Sequence, residues 1–139
     1  MEPGWSALLA LQRAAHATLH VLAAELADLD MTASEINALA NLAGGRGRSV
    51  SELSRAAGTR PTTLTSVLDR LERRGLITRS PRPGDRRGVQ VELTRSGRQA
   101  AATIRHAITG IEQRALGALT AEATAALRTA LQAFTEVSA

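Results

Sequence analysis

Apolar residues recur at steps of three and four along most of this chain, which is the spacing of one face of an α-helix. The first such stripe spans residues 5–29. Capping-box patterns, in which two side chains satisfy free backbone N–H groups at a helix start, open the next two helices at residues 32–35 and 49–52. Pro61 starts a fourth helix that stops at Gly75, Thr94 caps a fifth over about 95–117, and Thr120 starts a sixth. The pattern therefore predicts a mainly α protein.

The period of the apolar residues changes to two at Leu76, and this alternation is typical of strands with one buried face. Residues 76–80 predict one strand and residues 89–93 predict a second. Residues 81–88 between them are rich in proline, glycine and charge, and they predict a loop. The predicted order is therefore α-α-α-α-β-β-α-α, in which a small two-stranded β wing follows four helices.

The composition fits a single domain over residues 1–139. Trp5 and Phe134 are the only Trp, Tyr or Phe residues, so the core has to be built from Leu, Ile, Val and Ala. The absence of cysteine excludes disulfides, thiolate metal sites and thiol redox sensing. The first residues lack a basic stretch, and charged residues interrupt the apolar start, so we expect a cytoplasmic protein without membrane association.

Positive charge is concentrated in the middle of the chain. All 17 basic residues are arginine, and residues 46–98 contain thirteen of them with five acidic residues, a net charge of +8. The rest of the chain has a net charge of −4. A basic centre between acidic flanks is the electrostatic footprint expected for binding a polyanion.

Residues 49–75 combine a short capped helix, a glycine turn and a second helix that starts at a proline. The apolar side of this second helix consists of Leu64, Val67, Leu68 and Leu71. The opposite side carries Thr62, Ser66, Asp69 and Arg73, flanked by Thr63, Thr65 and Arg70. A helix that packs by one face and reads bases in the major groove by the other needs this division. An ordinary surface helix can show the same stripe, but the wing that follows favours a DNA-recognition helix.

The predicted wing carries Arg82, Arg86 and Arg87. A guanidinium is planar and permanently charged, which suits the narrow, electronegative minor groove. Asp85 beside them is placed to orient an arginine. A solvated basic loop is the alternative, and its position directly after a helix-turn-helix favours contact with DNA.

Residues 49–98 resemble the MarR (multiple antibiotic resistance regulator) family. The resemblance is carried by TTLT at 62–65, LDRLERRGLI at 68–77, the wing pattern at 85–87 and VELTRSG at 91–97. The helix order extends it over nearly the whole chain. The resemblance implies a winged helix-turn-helix DNA-binding lobe over residues 32–96 and a helical dimerisation region over 1–31 and 97–139, intertwined in a homodimer.

The resemblance also implies the DNA contacts. Arg87 would enter the minor groove with Asp85 supporting the wing, and the major groove would be faced by Thr62, Thr63, Thr65 and Ser66. Many members carry arginine where this chain has Ser66, so more of the specificity is expected from Arg60, Arg70 and DNA shape. The remaining predicted contacts are Arg73, Arg82 and Arg86, with Arg46, Arg48 and Ser49 at DNA phosphates.

Apolar stripes on the terminal helices favour a dimer independently, because little else in the chain can cover them; packing onto the core of the same chain is the alternative. A two-fold dimer would place two recognition helices about one DNA turn apart on a pseudo-palindromic site. His16 and His20 lie one turn apart on the first helix, and His106 lies on the fifth. Without a carboxylate nearby these histidines favour polar interface roles, so no metal site is predicted. Trp5 could line an effector crevice, but dimer packing is favoured.

The sequence therefore predicts a sequence-specific transcriptional regulator, a repressor, whose partners are double-stranded DNA and a second copy of itself. The resemblance implies release by a small aromatic or anionic effector in the crevice between the dimer helices and the DNA-binding lobe. The alternative is a winged-helix module that binds proteins instead of DNA. No nucleophile motif or phosphate-cradling glycine pattern is recognisable, so neither an enzyme nor a cofactor is expected.

Overall fold

The computed structural model describes residues 4–44 and 47–137. The predicted phosphate contact Arg46 lies outside the described residues. The backbone of Asp85, Arg86 and Arg87 lies in a strand, and their side chains are outside the described part of the structure.

Six α-helices lie within these residues, as the periodicity predicts: α1 (Ala7–Glu25), α2 (Ala33–Leu42), α3 (Val50–Ala57), α4 (Pro61–Arg73), α5 (Arg95–Leu116) and α6 (Ala121–Glu136). A short 3₁₀ helix at Ala27–Leu29 follows α1, which therefore ends before its apolar stripe does. The predicted caps of α2, α3, α5 and α6 are confirmed, because a backbone N–H of the first turn donates to Thr32, Ser49, Thr94 and Thr120. Local capping chemistry thus determines most of the helix starts.

An antiparallel sheet of three strands, in the order β1-β3-β2, replaces the two predicted strands in the described chain: β1 (Arg48–Ser49), β2 (Ile77–Arg82) and β3 (Asp85–Leu93). The two-residue β1 is too short to show an alternating pattern. The predicted loop at 81–88 is too long: β2 and β3 continue until Arg82 pairs with Asp85, and only the turn at residues 83–84 remains. Pro81 is tolerated because β2 is an edge strand, where a missing N–H need not break the ladder.

The buried apolar residues of the described chain are all Leu, Ile, Val or Ala, as the composition predicts. They come from α2, α3, α4, β2, β3 and the first turns of α5, with Leu26 after α1 and Leu76 before β2. The predicted inward face of α4 is confirmed, since Leu64, Val67, Leu68 and Leu71 are each at most 2% exposed. Helix α4 therefore cannot rotate about its axis without exposing this core.

The wing is held against the start of α5 by a close backbone approach. The N–H of Thr94 donates to the carbonyl of Leu76 at 3.0 Å, and its hydroxyl donates to the carbonyl of Gly75 at 2.6 Å. A Cβ on Gly97 would lie only 1.9 Å from the Leu76 carbonyl oxygen. Glycine is required there because no larger residue lets α5 approach β2 so closely.

The chain divides into two compact units at residue 108, within α5. In the first unit, α1 buries none of its residues, and in the second unit α6 buries none. No helix among the described residues is long and apolar enough to span a membrane.

Candidate nucleic-acid interface

Helix α4 presents its polar side to solvent at its N-terminal end. The side chains of Thr62, Thr63, Thr65 and Ser66 are all exposed. Arg60 is the N-cap residue, and its side chain makes no capping hydrogen bond. Free N–H groups at a helix start, together with the helix dipole, favour an anion such as a DNA phosphate. The start of α4 therefore combines exposed hydroxyl side chains with an end that favours an anion.

Two of these hydroxyls already have partners within the helix. Thr65 Oγ1 donates to the carbonyl of Pro61 at 2.9 Å, so its proton is engaged and it can only accept from a further group. Ser66 Oγ accepts a hydrogen bond from Arg70 Nη1 at 3.3 Å, so its own proton stays available for donation. The two neighbouring hydroxyls therefore offer opposite hydrogen-bonding roles.

Arg79 on β2 joins the wing to α4, a role that the sequence analysis missed. Its Nη2 atom lies 2.7 Å from Asp69 Oδ1 and 2.8 Å from Glu72 Oε1. Hydrogen bonding to Arg79 holds the pKa of Glu72 below its ordinary value of 4.5, and the same two carboxylates raise the pKa of Arg79. The spacing of Asp69 and Glu72, three residues apart on one helix face, was the signal available in the sequence.

A polar groove of about 720 Å³ lies between α3, α4 and the hairpin. Its lining residues include Ser49, Glu52, Arg55, Thr65, Arg79 and Arg82. Arg82 Nη2 is 3.4 Å from Glu52 Oε1, so this predicted wing residue is tied to α3. Hydrogen bonding with Ser49 is the main cause that lowers the pKa of Glu52, and the charges of Arg82 and Arg48 lower it further.

The remaining predicted residues occupy different surroundings. Arg73 is exposed in the last turn of α4, whereas Arg48 is half-buried. Ser49 is 5% exposed, and its hydroxyl caps α3. Arg70 is directed towards Glu35 of α2, a contact that the sequence analysis did not foresee. The structure thus brings the α4 hydroxyls, the groove arginines and the hairpin onto neighbouring elements.

A second cavity, of about 430 Å³, lies among α1, α2 and Ile108 of α5. Its lining residues carry no charge, and the polar ones are Thr18, Ser34 and Asn37. Volumes of roughly 300–1,000 Å³ with few polar groups are typical of small-molecule sites. Trp5 is 51% exposed and is not among the lining residues.

The histidines of α1 form a close pair. The Nε2 atoms of His16 and His20 are 3.2 Å apart, and both residues are exposed, as is His106. Among the described residues, no group of three or more His, Cys, Asp or Glu side chains is placed to hold a metal ion.

Comparison with known proteins relates this arrangement to a family. The sequence model of the MarR family matches residues 29–88. The HTH-type transcriptional repressor NicR of Pseudomonas putida is 47% identical over 49 residues, which are 35% of this chain and 31% of NicR. The multiple antibiotic resistance protein MarR of Escherichia coli is 36% identical over 72 residues, 52% of this chain and 50% of MarR. The matched part of the chain thus spans half or less of these curated relatives.

Solved structures extend the similarity to nearly the full chain. NadR in complex with 4-hydroxyphenylacetate superposes with a TM-score of 0.85 at 22% identity, covering 99% of this chain and 97% of NadR. The apo form of Escherichia coli MarR superposes with a TM-score of 0.73 at 26% identity, covering 94% of this chain and 97% of MarR. The family match thus runs from before α2 into β3, the segment that carries most of the candidate interface, and the folds agree beyond it. Over residues 29–88 this chain is therefore similar to the MarR family, and its fold is that of the MarR-type structures.

Proposed function

We propose that this protein is a transcriptional regulator that binds pseudo-palindromic duplex DNA as a homodimer and represses transcription. The observation that carries the proposal is the division of α4 into a buried leucine face and an exposed row of hydroxyl side chains beside a basic hairpin. Short hydroxyl side chains can reach base edges in the major groove. The similarity to NicR, a transcriptional repressor by name, supports the same function.

In the proposed complex, α4 lies in the major groove with Thr62, Thr63 and Ser66 towards the bases. The wing follows the backbone, with Arg87 in the minor groove as the resemblance implies. Phosphate contacts come from the basic residues around the groove and before α3. These arginines supply affinity, whereas the α4 hydroxyls supply sequence preference.

A homodimer gives the two-fold symmetry that a pseudo-palindromic site requires. Its support is the large apolar surface on both terminal helices: Leu8, Leu9 and Leu19 on α1 are 50%, 61% and 51% exposed. On α6, Leu127 and Leu131 are 36% and 39% exposed. Contiguous apolar stripes of this kind mark protein interfaces, and a second copy of the chain carries the complementary stripes.

We further propose that an aromatic effector binds the cavity of about 430 Å³ and weakens DNA binding. The neutral lining favours a ring over a charged group, so a carboxylate would depend on hydrogen bonds from Ser34 or Asn37. NadR, which shares the fold, was solved with 4-hydroxyphenylacetate. Release from DNA requires that the effector bind the two conformations of the dimer with unequal affinity.

Selection of binding sites from random duplexes tests the DNA-binding function. We expect an enriched pseudo-palindrome and, for roughly six to ten phosphate contacts, a fall in affinity of about 10³–10⁵-fold between 50 and 200 mM salt. Arg87→Ala should weaken binding strongly, whereas Arg105→Ala, which removes the same charge from the exposed surface of α5, should not. Failure to enrich any duplex, even at low salt, would instead favour the protein-binding module.

A cavity-filling pair tests the effector. Ala15 lines the cavity, whereas its neighbour Ala14 is exposed on α1 and does not. We expect 4-hydroxyphenylacetate to reduce DNA affinity in the wild type and in Ala14→Leu, and to have no effect in Ala15→Leu. An equal response of the two variants would place the effector elsewhere.

A further inference from the structure

Glu35 is a carboxylate with almost no access to solvent. It is 4% exposed at the third position of α2, where its N–H donates to Thr32 Oγ1 and its Oε1 accepts the N–H of Thr32, both at 3.2 Å. A neutral glutamine fulfils this capping role equally well. The helix cap therefore does not require the negative charge, and a buried charge is costly unless a positive partner balances it.

Two arginines of α4 supply that balance. Arg70 Nε lies 3.7 Å from Glu35 Oε1, and Arg74 Nη1 lies 3.6 Å from Glu35 Oε2. Arg74 is also anchored by the carbonyls of Leu29 at 2.9 Å and Asp30 at 2.8 Å. Its position is therefore secured by backbone groups as well as by the carboxylate.

Arg70 has no such backbone anchor among its described contacts. Its Nε atom is buried and, in the described structure, has no hydrogen-bond partner. The negative charge of Glu35 is therefore what balances the positive charge of Arg70 at this position. Its Nη1 atom donates to Ser66 Oγ at 3.3 Å, one turn earlier on the exposed side of α4. The guanidinium thus lies along the helix, between Glu35 and Ser66.

We propose that Glu35 is a positioning residue for DNA reading, which holds Arg70 along α4 so that Ser66 donates its proton to an acceptor on a base edge. This inference rests on the proposed function. Because Ser66 Oγ accepts from Arg70, its own proton is directed outward, and the matching chemistry in the major groove is an acceptor such as a purine N7. The neutralised Arg70 then contributes no phosphate contact, contrary to its predicted role as a direct DNA contact.

The test compares the salt dependence and the base preference of variants on the selected duplex. In Glu35→Gln, which keeps the cap acceptor, Arg70 is released to reach a phosphate, so the slope of log K against log salt should steepen by about 0.9. Preference at the base read by Ser66 should fall roughly three- to tenfold. Glu112→Gln, an exposed residue of α5, changes the net charge equally and should leave both readouts unchanged.

Arg70→Gln provides a second and independent measurement. If Glu35 holds Arg70 away from phosphates, this variant keeps the wild-type salt slope, and Glu35→Gln/Arg70→Gln returns to it. A slope that falls by about 0.9 in Arg70→Gln alone would show a direct phosphate contact and overturn the inference. If Glu35→Gln kept the salt slope and the base preference of the wild type, the inference would also be overturned. The proposed function would still stand in that case, provided that the wild-type protein selects a duplex. If the wild type selects no duplex, the proposed function fails and this inference fails with it.

Discussion

The winged segment, α2 to β3, and the two terminal helices α1 and α6 differ in what they bury. In the winged segment α4 alone buries four apolar side chains, and ion pairs tie it to α2 and β2. Along their full described lengths, α1 and α6 bury no residue, although both carry apolar stripes. The difference indicates that the winged segment is stabilised within one chain, whereas the terminal helices leave their apolar faces exposed, as the proposed homodimer requires.

The largest expected effect on stability comes from truncating a core side chain of the winged segment. Leu53 is fully buried on α3, so Leu53→Ala should lower the free energy of unfolding by about 2–5 kcal/mol through lost burial and a residual cavity. Leu53→Met, which preserves volume, should cost less than about 1.5 kcal/mol. Denaturant unfolding measures both variants. A small effect of Leu53→Ala would mean that the winged segment does not depend on its own core.

The next effect concerns the join between the wing and α5. Gly97→Ala should destabilise the fold by about 1–3 kcal/mol, because the new Cβ would overlap the carbonyl oxygen of Leu76. Gly110→Ala in the same helix is the control, since its Cβ would meet only Arg114 Nη1 at 3.8 Å. The control should be neutral or stabilising by up to about 1 kcal/mol. Equal melting temperatures for the two variants would contradict the close approach.

Substitutions in the apolar stripes of the terminal helices should weaken dimerisation rather than lower the stability of the fold. Leu131→Glu places a charge within the apolar stripe of α6 and should weaken dimerisation by at least about tenfold, because the carboxylate would be buried without a partner. Thr129→Glu, on the other side of α6, should leave the dimer intact. Sedimentation over a range of concentrations measures both. A wild type that stays monomeric at all concentrations would contradict the homodimer.

The smallest effect is electrostatic and confined to acid. The pKa of Glu72 is lowered in the folded chain, so its contribution to stability is present above its unfolded value near 4.5 and is lost as the pH falls through the folded pKa. The wild type should therefore exceed Glu72→Gln in melting temperature at pH 7, and the difference should vanish in acid. Glu112→Gln, on the exposed surface of α5, should show no such convergence. If the difference in melting temperature stayed constant from pH 7 into acid, the ion pair between Glu72 and Arg79 would not contribute to stability.

Much of helix α4 could be predicted because its signals are local. The leucine stripe of α4 and its proline start identified both its bounds and its buried face. The wing was predicted less well, because proline and glycine signal a loop without showing that edge-strand pairing persists to Arg82. The roles of Arg79 and Glu35 were not predictable from periodicity, since each depends on a partner in another element.

By itself, the sequence determined the helix starts, the apolar faces and the concentration of positive charge, because capping, periodicity and composition act over a few neighbouring residues. Only the tertiary structure decided that Arg79 joins the wing to α4 and that Glu35 faces Arg70. These contacts connect groups that are up to 35 residues apart in the chain, from Glu35 to Arg70. Only chain folding brings such charges together, and their distances then determine which arginines are paired with carboxylates.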